Sequence, residues 1–489
     1  MSQPRARIAI IGGGPGGYEA ALVAAQLGAE VIVAESEGLG GACVLTDCVP
    51  SKTLIETAGA MSALNGSGDL GIRIGGRRGQ PPRGVAGGPR SSPPPVRAMV
   101  DAPRLYSRVK ALAMAQSADV AVRLAAAGVE VVSGAARLVS PRTVAVGDRE
   151  ITADAVLIAT GARPRVLPGA EPDGERILNW RQLYDLDELP EELVVVGSGV
   201  TGAEFASGFQ ALGSQVTLVS SRDRVLPNED ADAALVIEGV FRRNGMTVLG
   251  RSRAAGVKRT GDGVLVTLTD GRTVTGSHCL MTVGMVPTTS GLGLEEAGVR
   301  LDDRGFVEVD RVSRTSVPGV YAAGDCTGVQ MLASVAAMQG RIAMWHALGE
   351  AVQPLRLSHV AATVFTDPEI ATVGVPHAAV LSGDTPARMV KLPLATNARA
   401  KMAGLRDGFI KLFARPVTGI VLGGVIVAYR ASELILPVSL AVEQQLTVDQ
   451  MAQTFAVYPS LSGSLTEAAR QLMQSATQAD RPDWPGRLD

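Results

Sequence analysis

Apolar and polar positions along this chain repeat one unit: a short apolar run, a turn of small residues, then a helix-forming stretch. The first copy opens at Ile8–Ile11, continues through Gly12-Gly13-Gly14-Pro15-Gly16-Gly17, and enters the helix-forming run Tyr18–Leu27. Wholly apolar runs of this length between turn residues predict strands buried on both faces. A second strand, Glu30–Ala34, ends at Glu35. After a helix at Pro103–Ala127 and strands near Val129–Ser133 and Thr143–Val146, the run Ala155–Ala159 stops at Thr160-Gly161. The second copy is complete: strand Leu193–Val196, turn Gly197-Ser198-Gly199-Val200-Thr201-Gly202, helix Ala203–Leu212 and strand Val216–Val219. A third strand-to-turn signal, Val320–Gly324, closes on Asp325 and precedes a helix at Leu332–Ala347. Beyond Pro354 the texture changes to strands at Val360–Phe365, Phe409–Phe413 and Gly419–Val427, then helices. The pattern predicts an α/β chain with two Rossmann-like units and a separate C-terminal α+β domain.

The glycine spacing says what the first two turns are for. Gly12, Gly14 and Gly17 follow G-x-G-x-x-G between strand and helix, which permits a tight turn, close backbone approach to a pyrophosphate, and close helix–strand packing. Glu35 stands about 20 residues on, where an acid binds a ribose hydroxyl. Gly197, Gly199 and Gly202 repeat the motif. Their second strand, however, ends in Ser220-Ser221-Arg222-Asp223-Arg224, with no acid at the ribose position. Serines and arginines there suit a 2′-phosphate, although an ordinary polar loop has the same composition.

Length and composition narrow the class. A chain of 489 residues holds two to four domains. A net charge of −2 argues for no nucleic-acid partner. Apolar residues make up 46 %, yet no run reaches the ~18 residues of a membrane span. The N-terminus leads straight into the first strand rather than into a secretory signal. Four cysteines do not make a disulfide scaffold, so a soluble cytoplasmic protein is expected. Residues 75–97 are rich in Pro, Gly and Arg and read as a flexible surface insertion.

Two cysteines, Cys43 and Cys48, lie behind Gly40-Gly41 and ahead of Pro50-Ser51-Lys52. On a regular helix their Cα atoms would stand roughly 8–9 Å apart, whereas a disulfide needs about 4.4–6.8 Å. Pairing therefore requires a distorted helix, and Pro50 is the residue expected to permit it. On spacing alone the two also read as small buried residues. Their place about 30 residues after a nucleotide-binding loop favours a redox pair. Cys279 and Cys326 read as structural.

Together these motifs resemble the flavoprotein pyridine nucleotide-disulfide oxidoreductases, among them lipoamide dehydrogenase, glutathione reductase and mercuric reductase. The resemblance rests on Gly12–Gly17 with Glu35, Cys43-x4-Cys48-x-Pro-Ser-Lys52, Ala159-Thr160-Gly161, Gly197–Glu204, Thr315 to Asp325, and Phe365-Thr-Asp-Pro-Glu-Ile370. It implies FAD held by Gly12, Gly14, Gly17 and Glu35, with Ala136, Thr160, Gly161, Asp325 and Ala333 along the cofactor. It places Lys52 and Glu204 as a charge pair beside flavin N5. It seats NAD(P)H on Gly197, Gly199, Gly202, Ser220, Arg222 and Gly284. Cys43 becomes the interchange thiol and Cys48 the thiolate against the flavin. The implied division is 1–165 for FAD, 166–289 for NAD(P), 290–354 returning to FAD, and 355–489 for a homodimer interface that shares the active site.

One departure changes the expected chemistry. The family's dithiol step uses a histidine base, oriented by a glutamate, from the partner subunit, and an imidazole with a pKa near 6.5 suits that task. Here the run is Tyr458-Pro459 and Ser462-Gly463, and none of the four histidines (278, 346, 359, 377) lies beyond residue 377. Tyrosine, with a pKa of about 10, is a poor base at neutral pH. The last cysteine is Cys326, so mercuric reductase's C-terminal pair is also missing. Tyr458–Ser464, Asn397–Met402 and Gly197–Phe205 resemble the actinobacterial NAD(P)H:quinone reductase branch, whose members can lack the first cysteine that is present here. The resemblance implies hydride transfer from NAD(P)H through flavin to a small-molecule quinone. The alternative is a disulfide reductase using Cys43 and Cys48, with water or Tyr458 as a substitute proton donor.

Overall fold

The computed structural model describes residues 5–72 and 99–479; the insertion read at 75–97 lies outside the described residues. The first apolar run does form a central strand. Arg7–Ile11 pairs in parallel with Glu30–Glu35 on one side and Ala155–Ile158 on the other. Glu130–Ser133 and Val320–Ala322 complete a five-stranded parallel sheet at its two edges. The strand of the third strand-to-turn signal thus joins the first sheet. Helix α1 (Pro15–Gln26) starts three residues before the predicted position, with Pro15 in its first turn, where a missing N–H costs nothing.

The cysteine stretch folds as two helices, α2 (Gly41–Leu45) and α3 (Cys48–Gly66). Helix α4 (Ala102–Ala126) packs beside them, capped by Asp101. The second unit gives another five-stranded parallel sheet, ordered Thr247–Leu249, Gln215–Val219, Glu192–Val196, His278–Met281, Ile177–Leu178. It carries α5 (Val200–Leu212) and α6 (Ala231–Arg243). Sequence reading assigned nothing to 231–276. The structure has α6 there and an antiparallel three-stranded sheet, Ala254–Thr260, Gly263–Leu268 and Thr273–Gly276.

Close helix crossings lock these parts together. Helix α7 (Ala333–Ala347) runs so near α1 that a Cβ at Gly340 would stand 2.1 Å from the Gly16 carbonyl oxygen. Likewise α3 packs on α5, where a Cβ at Gly208 would lie 3.1 Å from Leu54. That second crossing brings residues 152 positions apart within bonding distance.

The C-terminal part is the predicted α+β texture. An antiparallel sheet runs Ala362–Val364, Glu369–Gly374, Val421–Ala428, Phe409–Ala414, Arg388–Pro393. Helices at Leu436–Glu443 and Gly463–Ala479 accompany it. All six residues of Phe409–Ala414 are buried, including Lys411. Its ammonium lies 2.9 and 2.7 Å from the two carboxylate oxygens of Asp230, the N-cap of α6, and 3.0 Å from Asp232. A buried charge is tolerated only when paired in this way.

Candidate active site

A cleft of about 380 Å³ opens at the carboxyl ends of the first sheet's strands, where open α/β sheets place their ligands. Its floor is the first glycine loop. Gly12 has φ +103°, and a Cβ there would stand 2.3 Å from the Ala159 oxygen; one at Gly17 would stand 1.9 Å from the Gly12 oxygen. Gly14 caps α1 with no side chain to satisfy the first amides, so the helix N-terminus faces the cleft as an anion site. The Glu35 carboxylate accepts the Gly13 N–H at 2.5 Å and the Glu37 N–H at 2.7 Å. Ala136, Thr160, Gly161, Asp325 and Ala333 also line the cleft. Burial, with Asp47 nearby, pushes the Asp325 carboxyl up to about 6. Anion-binding amides at one end and an acid at the strand tip fit the diphosphate and ribose of FAD.

The two cysteines meet in this cleft, by a different device from the one expected. Pro50 does not distort a helix; it sits in the first turn of α3, where its absent N–H is harmless. The break falls earlier, at Thr46-Asp47. Helix α2 ends there, Asp47 adopts φ −127° and ψ −95°, and Cys48 begins a new helix. The cysteines thus belong to two helices, and their free thiols share a hydrogen bond. That bond holds the Cys43 thiol below its usual value, and the same bond, reinforced by burial, holds Cys48 well above. The resemblance puts the thiolate on Cys48; in a pair sharing one proton, the first ionisation belongs to both. Cys279 and Cys326 are buried, and burial pushes their thiols up to about 12 and about 11. They are inert packing residues.

Beside the pair stands the predicted lysine–glutamate couple. Lys52 on α3 donates to Glu204 on α5 at 2.8 Å. The other Glu204 oxygen accepts the Phe365 N–H at 2.8 Å, and the Phe365 ring lies 4.9 Å below the ammonium. Burial works against the charge on Lys52, but Glu204, with Cys48 and Asp47, offsets it and holds the ammonium above its usual pKa.

The second glycine loop repeats the first in detail. Gly197 has φ +114°, its Cβ position lies 2.3 Å from the Thr282 oxygen, and that of Gly202 lies 1.9 Å from the Gly197 oxygen. Gly199 caps α5 without a side chain. Gly284 has φ +103° and its carbonyl accepts the Arg165 N–H. Ser220 is fully buried and bonded inward to Ser198 and to the carbonyls of Arg222 and Arg224. It shapes the loop, leaving the Arg222 guanidinium exposed at the strand tip. Tyr458 is 86 % exposed and is not part of the cleft of its own chain. Asp47, Arg163 and Arg181 line the cleft without having been singled out in the sequence. The C-x4-C spacing marked the region of Asp47; nothing local marked the arginines.

A family model described as "Pyridine nucleotide-disulphide oxidoreductase" matches residues 6–340, and that family's dimerisation domain matches 360–469. This chain belongs to that family. It is a flavoprotein oxidoreductase that uses FAD and NAD(P)H. A Mycobacterium tuberculosis protein named "NAD(P)H dehydrogenase (quinone)" is 56 % identical over 481 residues, covering 96 % of this chain and 94 % of its own. A dihydrolipoyl dehydrogenase of Chlorobaculum tepidum is 32 % identical over 477 residues, covering 96 % and 97 %. The crystal structure of LpdA from M. tuberculosis superposes with a TM-score of 0.88 at 55 % identity, covering 96 % of this chain and 100 % of that one. Among the described residues, no helix is long and apolar enough to cross a membrane.

Proposed function

We propose that this enzyme passes the electrons of NAD(P)H through its flavin to a quinone. One observation carries the reading. The pair Lys52–Glu204 is fully built, while the position of the dithiol base holds Tyr458 and no histidine lies beyond residue 377. A quinone taking electrons from the flavin needs no thiol base; a disulfide does. The name of the mycobacterial relative supports the same acceptor class.

The roles follow from the site. When bound, the flavin accepts hydride and gives up two electrons. Gly12, Gly14, Gly17 and Glu35 hold its adenosine diphosphate half, with Ala136, Thr160, Gly161, Asp325 and Ala333 along it. Gly197, Gly199 and Gly202 seat the nicotinamide nucleotide, with Gly284 beside the crossover and exposed Arg222 favouring a 2′-phosphate. Lys52, fixed by Glu204, places a positive charge where negative charge develops. We assign residues 1–165 and 290–354 to FAD, 166–289 to NAD(P), and 355–489 to a homodimer that shares its active site. Leu436, Leu440, Phe455 and Val457 in that segment are exposed apolar side chains available for that contact. Cysteine usage supports a cytoplasmic location.

The second reading, NAD(P)H-dependent disulfide reduction, is favoured by the hydrogen-bonded Cys43–Cys48 pair, with Tyr458 of the other subunit as proton donor. Menadione reduction by wild type and Cys43→Ser, measured side by side, separates the two. Equal rates mean electrons leave directly from the flavin. A collapse in the variant puts the dithiol in the path and overturns the first reading.

A further inference from the structure

The break between α2 and α3 holds an acid that none of these roles uses. Asp47 lines the cleft together with both cysteines, Arg181 and Asp325. It occupies the N-cap of α3, where an aspartate ordinarily accepts an amide of the first turn. Its carboxyl accepts none, and the Asp47 side chain makes no hydrogen bond to another described residue. Behind it lies a second unpartnered group. Tyr184 is 4 % exposed, and its hydroxyl has no partner among the described residues. That phenol lies within the field of Asp47, Glu204 and Cys48, and burial raises its pKa well above the usual value. Buried polar groups are almost always bonded. The cleft thus holds a carboxyl with no protein partner among the described residues, close enough to an unbonded phenol for its charge to be felt there.

Quinone reduction, the reading proposed above and the one on which this step rests, requires such a group. A quinone takes up two electrons and two protons to become the quinol. Hydride from NAD(P)H accounts for two electrons and one proton, so one proton must come from elsewhere. We infer that Asp47 is the catalytic acid that delivers this proton: its carboxyl O–H breaks, the quinol O–H forms, and the carboxylate is reprotonated from solvent. The groups facing it agree. Burial holds the Asp47 pKa above the usual carboxylate range, and Glu204 on α5 adds to this. Lys52 on α3 and Arg181 act the other way, but do not cancel it. Cys43 on α2, Cys48 on α3 and Asp325 complete the surround. Once Asp47 has given up its proton, its negative charge opposes thiolate at both cysteines.

The test uses the FAD-loaded enzyme with menadione. Asp47→Asn should lower kcat on the order of 10²-fold and abolish the fall of kcat at high pH that marks loss of the acid. Asp47→Glu should restore part of both. Ferricyanide takes electrons without protons, so its reduction should suffer far less in Asp47→Asn than menadione reduction does. Infrared difference spectra should show a carboxylic-acid carbonyl band, titrating above the ordinary carboxylate range, that Asp47→Asn removes. Retention of the high-pH limb in Asp47→Asn, or equal losses with menadione and ferricyanide, would overturn the proposal. If the wild type reduced no quinone, the functional reading would fall. The infrared band would then still decide whether Asp47 holds the proton, and its absence would reject the acid as well.

Discussion

Replacing Glu204 by Gln tests the electrostatic reasoning at the centre of the site. The substitution keeps the shape and leaves an amide oxygen for the Phe365 N–H, but removes the charge facing Lys52. At 2.8 Å and an effective dielectric constant near 20, the lost attraction is about 6 kcal/mol before desolvation is counted. Lys52 is 30 % exposed and Glu204 only 4 %, so part of that attraction merely offsets the cost of burying the pair. The sign is set by what remains. Burial is the largest influence on Lys52 and lowers its pKa; Glu204 leads the groups, with Cys48 and Asp47, that reverse it. In Glu204→Gln the ammonium should therefore lose its proton at lower pH than in the wild type. Anaerobic stopped-flow measurement of flavin reduction by NAD(P)H should show a loss of about 10²–10³-fold, the usual effect of removing one preorganised electrostatic group. The alkaline fall in rate should move to lower pH. Because the two side chains act as a unit, Lys52→Gln with Glu204→Gln should lose little more than either alone. An unchanged rate and pH profile in Glu204→Gln would refute the argument.

Three further outcomes are expected. Gly17→Ala puts a Cβ 1.9 Å from the Gly12 oxygen and Gly202→Ala does the same to Gly197; the first should yield protein without flavin absorbance, the second a flavin-loaded enzyme with raised KM for NAD(P)H. Lys411→Met strands the buried Asp230 carboxylate, at a cost of about 3–5 kcal/mol. Thermal melting should fall on the order of 10 °C, and adding Asp230→Asn should recover part of it. In flavin-free protein, Asp325 titrates at about 6 against an ordinary 3.8. The fold favours its protonated form, so this stabilisation is complete below the ordinary value and is lost as pH rises through about 6. It amounts to at most about 3 kcal/mol. Melting curves from acid to neutral pH should show the decline, and Asp325→Asn should flatten it.

Much of this protein was legible because its signals are local. Ile8–Ile11 followed by Gly12–Gly17 specifies a buried strand, a turn needing φ > 0 and a helix start within a dozen residues, and Leu193–Gly202 specifies them again. The missing histidine beyond residue 377 was equally readable, since an absence in the sequence needs no coordinates. Features that depend on distant partners were not. The return of Val320–Ala322 to the first sheet, beside Ala155–Ile158, was implied by the family resemblance and not by the strand's own residues. Alternation in Gly263–Leu268 was too short to stand out, and nothing in the sequence marked Lys411 as buried, which it is because α6 brings Asp230 to it.

The same division runs through the site. Cys43 and Cys48 announced themselves by spacing, yet the spacing pointed to Pro50 as the source of distortion, whereas the chain breaks at Thr46-Asp47. A hydrogen-bond pattern extending over two turns chooses between those positions, and side-chain identity alone does not. By itself the sequence determined the two nucleotide loops, the dithiol and the lost base, since backbone freedom and side-chain chemistry are properties of residues. Only tertiary structure decided that Lys52 meets Glu204, that Asp47 faces the cleft beside both thiols, and that Ser220 turns inward while Arg222 stays exposed. Those are properties of packing, in which burial and a partner from elsewhere in the chain set each group's charge and reach.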